Sequence, residues 1–97
     1  MLLPTRMAVL NYIYLYGESN VEQVMTGLKS DYCHEKQFNP KMYLEHLMAL
    51  EANGLLTLSK YELNDQNELL LSYVITDDGK AAVDTYIPSS YKHKHKH

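Results

Sequence analysis

The adjacent Cys33 and His34 are the residues of this 97-residue chain whose types could begin a metal site. Thiolate and imidazole groups both bind zinc, but a site needs further ligands at workable spacing, and outside the last six residues only His46 remains. We therefore interpret Cys33 and His34 as part of a surface loop, and we expect neither a metal nor another cofactor. Because Cys33 is the only cysteine, an intrachain disulfide is excluded.

The paired carboxylates Asp77 and Asp78 are the next candidates for chemistry, here as a general acid and base. They follow Thr76 at a predicted helix start, where carboxylates stabilise the positive end of the helix dipole, and this explains them better. The sequence holds no glycine-rich phosphate loop and no nucleophile beside a plausible base. We therefore expect that the protein is not an enzyme.

The charge of the chain bears on its partners. The last six residues, KHKHKH at 92–97, alternate strictly and are typical of an engineered purification tail, with a native metal-binding or polybasic tail as the alternative. Three of the nine lysines and arginines lie there, so six remain against twelve Asp and Glu, a net charge of −6. This balance counts against tight DNA binding by a monomer, but it does not exclude binding, since six cations gathered on one face and doubled in a dimer could suffice.

The organisation of residues 1–91 indicates a single domain, since no linker, repeat or low-complexity segment interrupts them. No apolar run approaches the roughly 20 residues that span a membrane. Pro4 and Arg6 interrupt the apolar start of the chain, which argues against a signal peptide. We therefore expect a cytoplasmic protein with no membrane partner.

The first predicted helix begins near Pro4 and ends at Tyr16, before Gly17. Within it, MAVLNYIYLY has Asn11 as its only strongly polar side chain, whereas a surface helix would show a polar stripe. Because a single small domain has no interior deep enough to surround a helix, we expect one face on the core and the other on a second subunit. The predicted homodimer interface comprises Leu3, Met7, Leu10, Tyr14, Val83 and Tyr86.

The second predicted helix starts after a Ser19 or Asn20 cap. Its apolar face repeats at helical spacing and consists of Val21, Val24, Met25 and Leu28. The segment 30–38 lacks periodicity and is predicted to be a loop. The third helix follows with Asn39 as its cap and Gly54 past its end.

The third helix has a core side and an outer face that follow from a rotation of about 100° per residue. With Leu47 at the buried centre, the core side carries Tyr43, Leu44, Leu50 and the stem of Glu51. The outer face then carries Lys41, Met42, Glu45, Ala49 and Ala52, with His46 and Met48 at its margins.

Two strands are predicted at 56–63 and 68–75, separated by a turn at 64–67. Alternation along the first strand predicts one face with Leu56, Leu58, Lys60 and Glu62. It predicts Thr57, Ser59, Tyr61 and Leu63 on the other face. A last helix begins after Thr76 and has an apolar side of Ala81, Ala82, Val83, Tyr86 and Ile87.

This order of elements resembles the winged helix-turn-helix transcription regulators of the MarR and PadR type. NPKMYLEHLMALEANGLL at 39–56 is similar to the PadR recognition segment, and the preceding loop to that family's extended turn. The family's strand-to-helix motif, Tyr-x-Ile-Thr-x-x-Gly, matches Tyr73, Ile75, Thr76 and Gly79. The predicted fold class is therefore α+β, with three helices, a two-stranded hairpin wing and a C-terminal helix.

The resemblance implies a small homodimeric regulator that places helix 39–53 in the major groove of double-stranded DNA and lays the 56–75 hairpin along the backbone. The residues predicted to contact DNA are Lys36, Asn39, Lys41, Met42, Glu45, His46, Lys60, Asn64, Gln66 and Asn67. Glu45 would either accept a hydrogen bond from a cytosine or pair with Lys41. The first-helix tyrosines suit core or dimer packing, and the resemblance also implies an aromatic-effector pocket in some members.

The alternative function is an acidic winged-helix module that contacts a protein and does not bind DNA. The wing turn reads NDQNE, and Lys60 is the wing's only cation, where PadR wings usually carry several. On the recognition helix, Met42 and Met48 form an adaptable apolar patch that suits a protein partner.

Overall fold

The computed structural model describes residues 2–88, so the predicted tail at 92–97 lies outside the described residues. Its elements are α1 (Thr5–Tyr16), α2 (Val21–Tyr32), α3 (Pro40–Ala52), β1 (Leu56–Leu63), β2 (Leu69–Ile75) and α4 (Asp77–Tyr86). This confirms the predicted α+β layout of three helices, a two-stranded antiparallel wing and a C-terminal helix. Over residues 2–88, no helix combines the length and apolarity needed to cross a membrane.

The starts of α2 and α3 are set by side chains that accept hydrogen bonds from otherwise unpaired backbone N–H groups. Asn20 Oδ1 accepts from the Gln23 N–H at 2.9 Å, and Gln23 Oε1 accepts from the Asn20 N–H at 2.9 Å, a reciprocal capping box. Asn39 Oδ1 accepts from the Met42 N–H at 2.9 Å, and Pro40 occupies the first helical position. These local hydrogen bonds explain why both starts are predictable.

The end of α2 differs from the prediction. The sequence predicts a loop at 30–38, but the helix continues to Tyr32. The Tyr32 side chain is buried, and its hydroxyl donates to the Leu3 carbonyl oxygen at 2.6 Å. This contact to a residue 29 positions away stabilises the last turn of the helix. Local sequence patterns do not predict such a long-range contact.

Helix α1 lies at the centre of the domain and contacts α2, α3, α4 and β2. Its buried residues join one core, formed by Val9, Leu10, Ile13, Val24, Tyr43, Leu47, Leu50, Leu56, Tyr73, Val83 and Ile87. The premise that so small a domain cannot surround a helix is therefore wrong. The chain's own elements cover most of the apolar surface that suggests a second subunit.

The predicted dimer interface must be revised in two places. Leu10 and Val83 are both 0% exposed, so they belong to the core and are wrong as interface residues. Met7 and Tyr14 are half-buried, and Tyr86, predicted on the apolar side of α4, is exposed. The homodimer stays a prediction.

The wing contains a β-bulge that changes which side chains share a face. The strands pair in antiparallel register, with Leu58 opposite Tyr73 but Lys60 opposite Ser72, so Ser59 is an extra residue. The Ser59 hydroxyl donates to the Ser72 carbonyl oxygen at 3.0 Å and stabilises this geometry. The predicted strict alternation is therefore wrong beyond Leu58.

The junction between α3, the wing and α4 is held by Thr76. Its hydroxyl donates to the Gly54 carbonyl oxygen at 2.7 Å and accepts from the Gly79 N–H at 2.9 Å. The Thr76 N–H donates to the Leu55 carbonyl oxygen at 3.1 Å, which fixes that oxygen beside the first turn of α4. A Cβ at Gly79 would overlap this oxygen and approach Ile75 Cγ1 within 2.6 Å.

We expect Gly79→Ala to lower the free energy of unfolding by about 1–3 kcal/mol, because the clash with a fixed backbone atom outweighs the helix preference of alanine, roughly 1 kcal/mol. Urea unfolding followed by circular dichroism measures this change. Lys80→Ala, at the exposed neighbouring position, is the control and should stay within about 0.5 kcal/mol of the parent. Equal stabilities for the parent and Gly79→Ala would contradict this account of the junction.

Candidate functional site

A groove of about 460 Å³ separates the N-terminal half of α3 from the distal half of the wing. Its apolar lining comes from three elements and consists of Val21, Pro40, Leu44, Leu69, Leu70 and Leu71. The polar groups that also line it are Glu22, Lys41, Asn64 and Glu68. The groove thus has an apolar floor and an acidic majority among its charged groups.

The bulge gives the wing an apolar face that extends beyond the core. Residues opposite one another in an antiparallel pair share a face, so Tyr61 and Leu63 lie on the same face as Leu71 and Leu69. Tyr73 continues that face into the core, where it is buried. Farther out, Tyr61 is 71%, Leu63 64% and Leu69 58% exposed. The distal part of this apolar face therefore has no cover from the described chain.

No strand of residues 2–88 pairs with the outer edge of β2 along the groove. Ser19 and Tyr73 exchange two backbone hydrogen bonds, from the Ser19 N–H to the Tyr73 oxygen at 3.0 Å and from the Tyr73 N–H to the Ser19 oxygen at 2.9 Å. Because backbone groups alternate in direction along a strand, those of Leu71 and Leu69 point the same way, away from β1. Over residues 2–88, Ser19 provides the only β-bridge outside the hairpin. The chain enters α2 at Val21 and leaves this edge.

The residues of α3 that are predicted to contact DNA differ in their exposure to solvent. Lys41 and Glu45 are exposed, and Met42 is half-buried. His46 is buried and is wrong as a DNA contact, since its Nδ1 accepts a hydrogen bond from Arg6 Nε at 3.2 Å. The Asn39 side chain is already engaged as the helix cap.

The environment of His46 favours its neutral form. Burial lowers the pKa of the imidazole below its usual value of 6.5, and the positive charge of Arg6 lowers it further, while Glu45 opposes the shift. Since Nδ1 accepts from Arg6, we infer that the neutral ring carries its proton on Nε2. His46 is therefore a packing residue that ties α3 to the start of α1.

The predicted DNA contacts of the wing are likewise only partly available. Lys60 is exposed, but its Nζ lies 3.8 Å from Glu18 Oε1 and 4.0 Å from Glu62 Oε1. Asn64 Oδ1 accepts from the Gln66 and Glu68 N–H groups, so this side chain holds the turn. The predicted contacts that remain exposed elsewhere are Lys36, before α3, and Gln66 and Asn67, at the wing tip.

The groove and the open edge are features that the sequence analysis misses. Because Leu69–Leu71 is apolar throughout, the sequence does not show which residues of β2 share a face. No residue pattern around Ser59 indicates the bulge. Helical rotation predicts Leu44 on the core side, but it is half-buried and faces the groove. Among residues 2–88, no group of three or more His, Cys, Asp and Glu side chains could hold a metal ion.

No model of a known protein family matches this chain, and no curated protein matches it either. The groove, the apolar wing face and the open edge of β2 are therefore the features of the molecule that bear on its function.

We expect the native His46 ring to titrate below 6.5, and stability to depend on pH accordingly. The unfolded chain then binds this proton at higher pH than the native protein, so the contribution is fully present above about 6.5 and is lost as pH falls below it. Urea unfolding between about pH 5 and pH 8 should show a smaller pH dependence for His46→Gln than for the parent. His34→Gln, at an exposed position, is the control. An unchanged pH dependence in His46→Gln would contradict this assignment.

Proposed function

We propose that this domain is a cytoplasmic, non-catalytic protein-binding module that holds an apolar segment of a partner protein between α3 and the wing. The observation that carries this proposal is the exposed apolar wing face of Tyr61, Leu63 and Leu69, which lies beside the groove that Leu44 lines. Exposed apolar patches with a polar rim are typical of protein interaction sites.

The charges around the groove specify the chemistry of the partner. Glu22 and Glu68 line the groove, and among residues 2–88 Lys41 is the one cation that lines it. Glu45 is exposed one helical turn after Lys41. Residues 1–91 also carry a net charge of −6. We therefore propose a partner segment with apolar residues flanked by lysine or arginine, since complementary charge accelerates and orients association.

The apolar lining of the groove and the pairing of Lys60 argue against a nucleic-acid phosphate backbone at this site. A phosphate placed there would lose water without gaining hydrogen-bond donors from the side chains of Leu44, Leu69 or Leu71. On the wing, Lys60 already has two carboxylates within 4.0 Å. Electrostatic affinity for DNA rises with the number of cations that neutralise phosphates, and this face offers few.

DNA binding is the second candidate, and a specific observation favours it. Lys41 is exposed in the first turn of α3, which is the helix that winged-helix regulators place in the major groove. Lys36 is exposed in the loop before this helix. In this candidate the protein is a PadR-like homodimeric regulator of transcription. The interface then includes surface residues from the predicted set, namely Leu3, Met7, Tyr14 and Tyr86.

We expect a photo-crosslinking amino acid at position 69 to capture one defined protein in the native cell, whereas the same group at exposed position 80 on α4 should not. The purified partner should bind the parent chain and lose about tenfold or more in affinity for Leu69→Ser, because an apolar contact is removed. Titration calorimetry measures both affinities.

Leu2→Ser is the matched control, since Leu2 is an exposed leucine that does not line the groove. It should bind the partner as the parent does. The proposal fails if position 69 captures no protein, if positions 69 and 80 capture the same protein equally, or if Leu69→Ser binds like Leu2→Ser.

For the second candidate, we expect Glu45→Gln to tighten non-specific binding to double-stranded DNA, because a carboxylate near phosphates opposes association. Lys41→Ala should weaken binding and reduce the salt slope by about one unit. Fluorescence anisotropy at two salt concentrations, on protein lacking residues 92–97, measures both changes. If neither variant differs from the parent, α3 does not contact DNA.

A further inference from the structure

We propose that the partner segment binds in an extended conformation and adds as a new strand to the open edge of β2. The outward backbone groups of Leu69 and Leu71 would supply its hydrogen bonds. This inference rests on the proposed function, because it specifies how the groove holds a protein partner. Strand addition to a free sheet edge is a common mode of peptide recognition.

The first observation behind this inference is the partial third strand that the chain itself supplies. Ser19 pairs with Tyr73 through two hydrogen bonds and then leaves the sheet. The next two outward-facing residues along β2 are Leu71 and Leu69, at the same alternation as Tyr73. Their two N–H groups and two carbonyl groups continue the ladder that Ser19 begins. The backbone groups of Leu69 and Leu71 are therefore already oriented to pair with a partner strand.

The second observation is that three consecutive residues of β2, Leu69, Leu70 and Leu71, all line the groove. Successive side chains of a strand point to opposite faces, so the side chains of all three residues, or the backbone between them, are reached together only from the edge of the strand. A groove that contacts all three runs along the strand edge. The open hydrogen-bonding groups and the apolar groove therefore belong to one site.

The third observation concerns what the side chains of the added strand would meet. Alternate residues would point toward Val21, Pro40 and Leu44, across the groove from β2, and these positions suit apolar side chains. The charged groups Glu22 and Glu68 would favour flanking lysine or arginine. Since the open edge spans three residues at about 3.3 Å each, about three residues of an extended segment would pair with it, a length of roughly 10 Å.

A peptide-display experiment on the full chain tests this inference, and it does not require the cellular partner to be identified. The probe is a random library of nine-residue peptides, and we expect selected peptides to combine alternate apolar residues with lysine or arginine. Each selected peptide is then resynthesised with single N-methylated residues. N-methylation should weaken binding about fivefold to tenfold at alternate positions, where N–H groups pair with β2, and little at the positions between them.

Variants of β2 test the same hydrogen bonds from the protein side. Leu69→Pro removes an outward N–H at the first residue of the strand, where proline is tolerated, and Leu69→Ala removes the side chain but keeps the N–H. The proline variant should bind selected peptides about fivefold more weakly than the alanine variant. In the complex, the Leu71 amide should exchange with solvent about tenfold more slowly. The N-methyl series still decides if the proline variant does not fold.

The outcomes separate this inference from the proposed function. Peptides that shift the NMR signals of Leu44 and Leu71, but tolerate N-methylation at every position and bind both Leu69 variants equally, would overturn strand addition while leaving a protein-binding groove. If no peptide is selected, or selected peptides bind away from the groove, strand addition is overturned, and crosslinking from position 69 alone decides the proposed function.

Discussion

The burial of α1 is the constraint on which the rest of this domain depends. Apolar side chains occupy nearly the whole circumference of this helix, and leaving them in water would cost about 25 cal/mol per Å² of apolar surface. The chain satisfies the constraint by packing α2, α3, α4 and the base of β2 around it. Even the polar contact between Arg6 and His46 draws α3 toward the start of α1. Of the large apolar side chains that stay exposed among residues 2–88, half lie on the wing, namely Leu58, Tyr61, Leu63 and Leu69.

The wing is longer than the core that supports it. At about 3.3 Å per residue, the seven residues of β2 extend roughly 23 Å, and only the half near Tyr73 reaches buried neighbours. The bulge at Ser59 keeps Tyr61 and Leu63 on the core-facing side after the core has ended. Without the bulge, both side chains would turn to the other face. One extra residue thus gives the wing a continuous apolar face that ends beside α3.

Sequence reasoning recovers what short-range chemistry determines. Asn39 and Thr76 are predictable as caps, and each accepts the expected backbone hydrogen bond, while the choice between Ser19 and Asn20 is resolved by the structure in favour of Asn20. The errors arise where distant residues decide. A contact between Tyr32 and the Leu3 carbonyl lengthens α2, and Arg6 reaches across to α3 and helps to bury His46. The groove depends on the relative placement of three elements, which helical and strand periodicity do not encode.

The two strands of the hairpin differ in the features that protect a sheet edge from pairing, and this difference bears on function. Natural sheets protect free edges with charged residues and bulges, since open edges invite aggregation. Strand β1 has both, with Lys60 and Glu62 beside the Ser59 bulge. The free edge of β2 has neither, since Leu69–Leu71 is an uninterrupted apolar run beside a groove. An edge that lacks protection while its neighbour has it is one that a partner strand would cover, and the acidic groups around the groove favour a basic one.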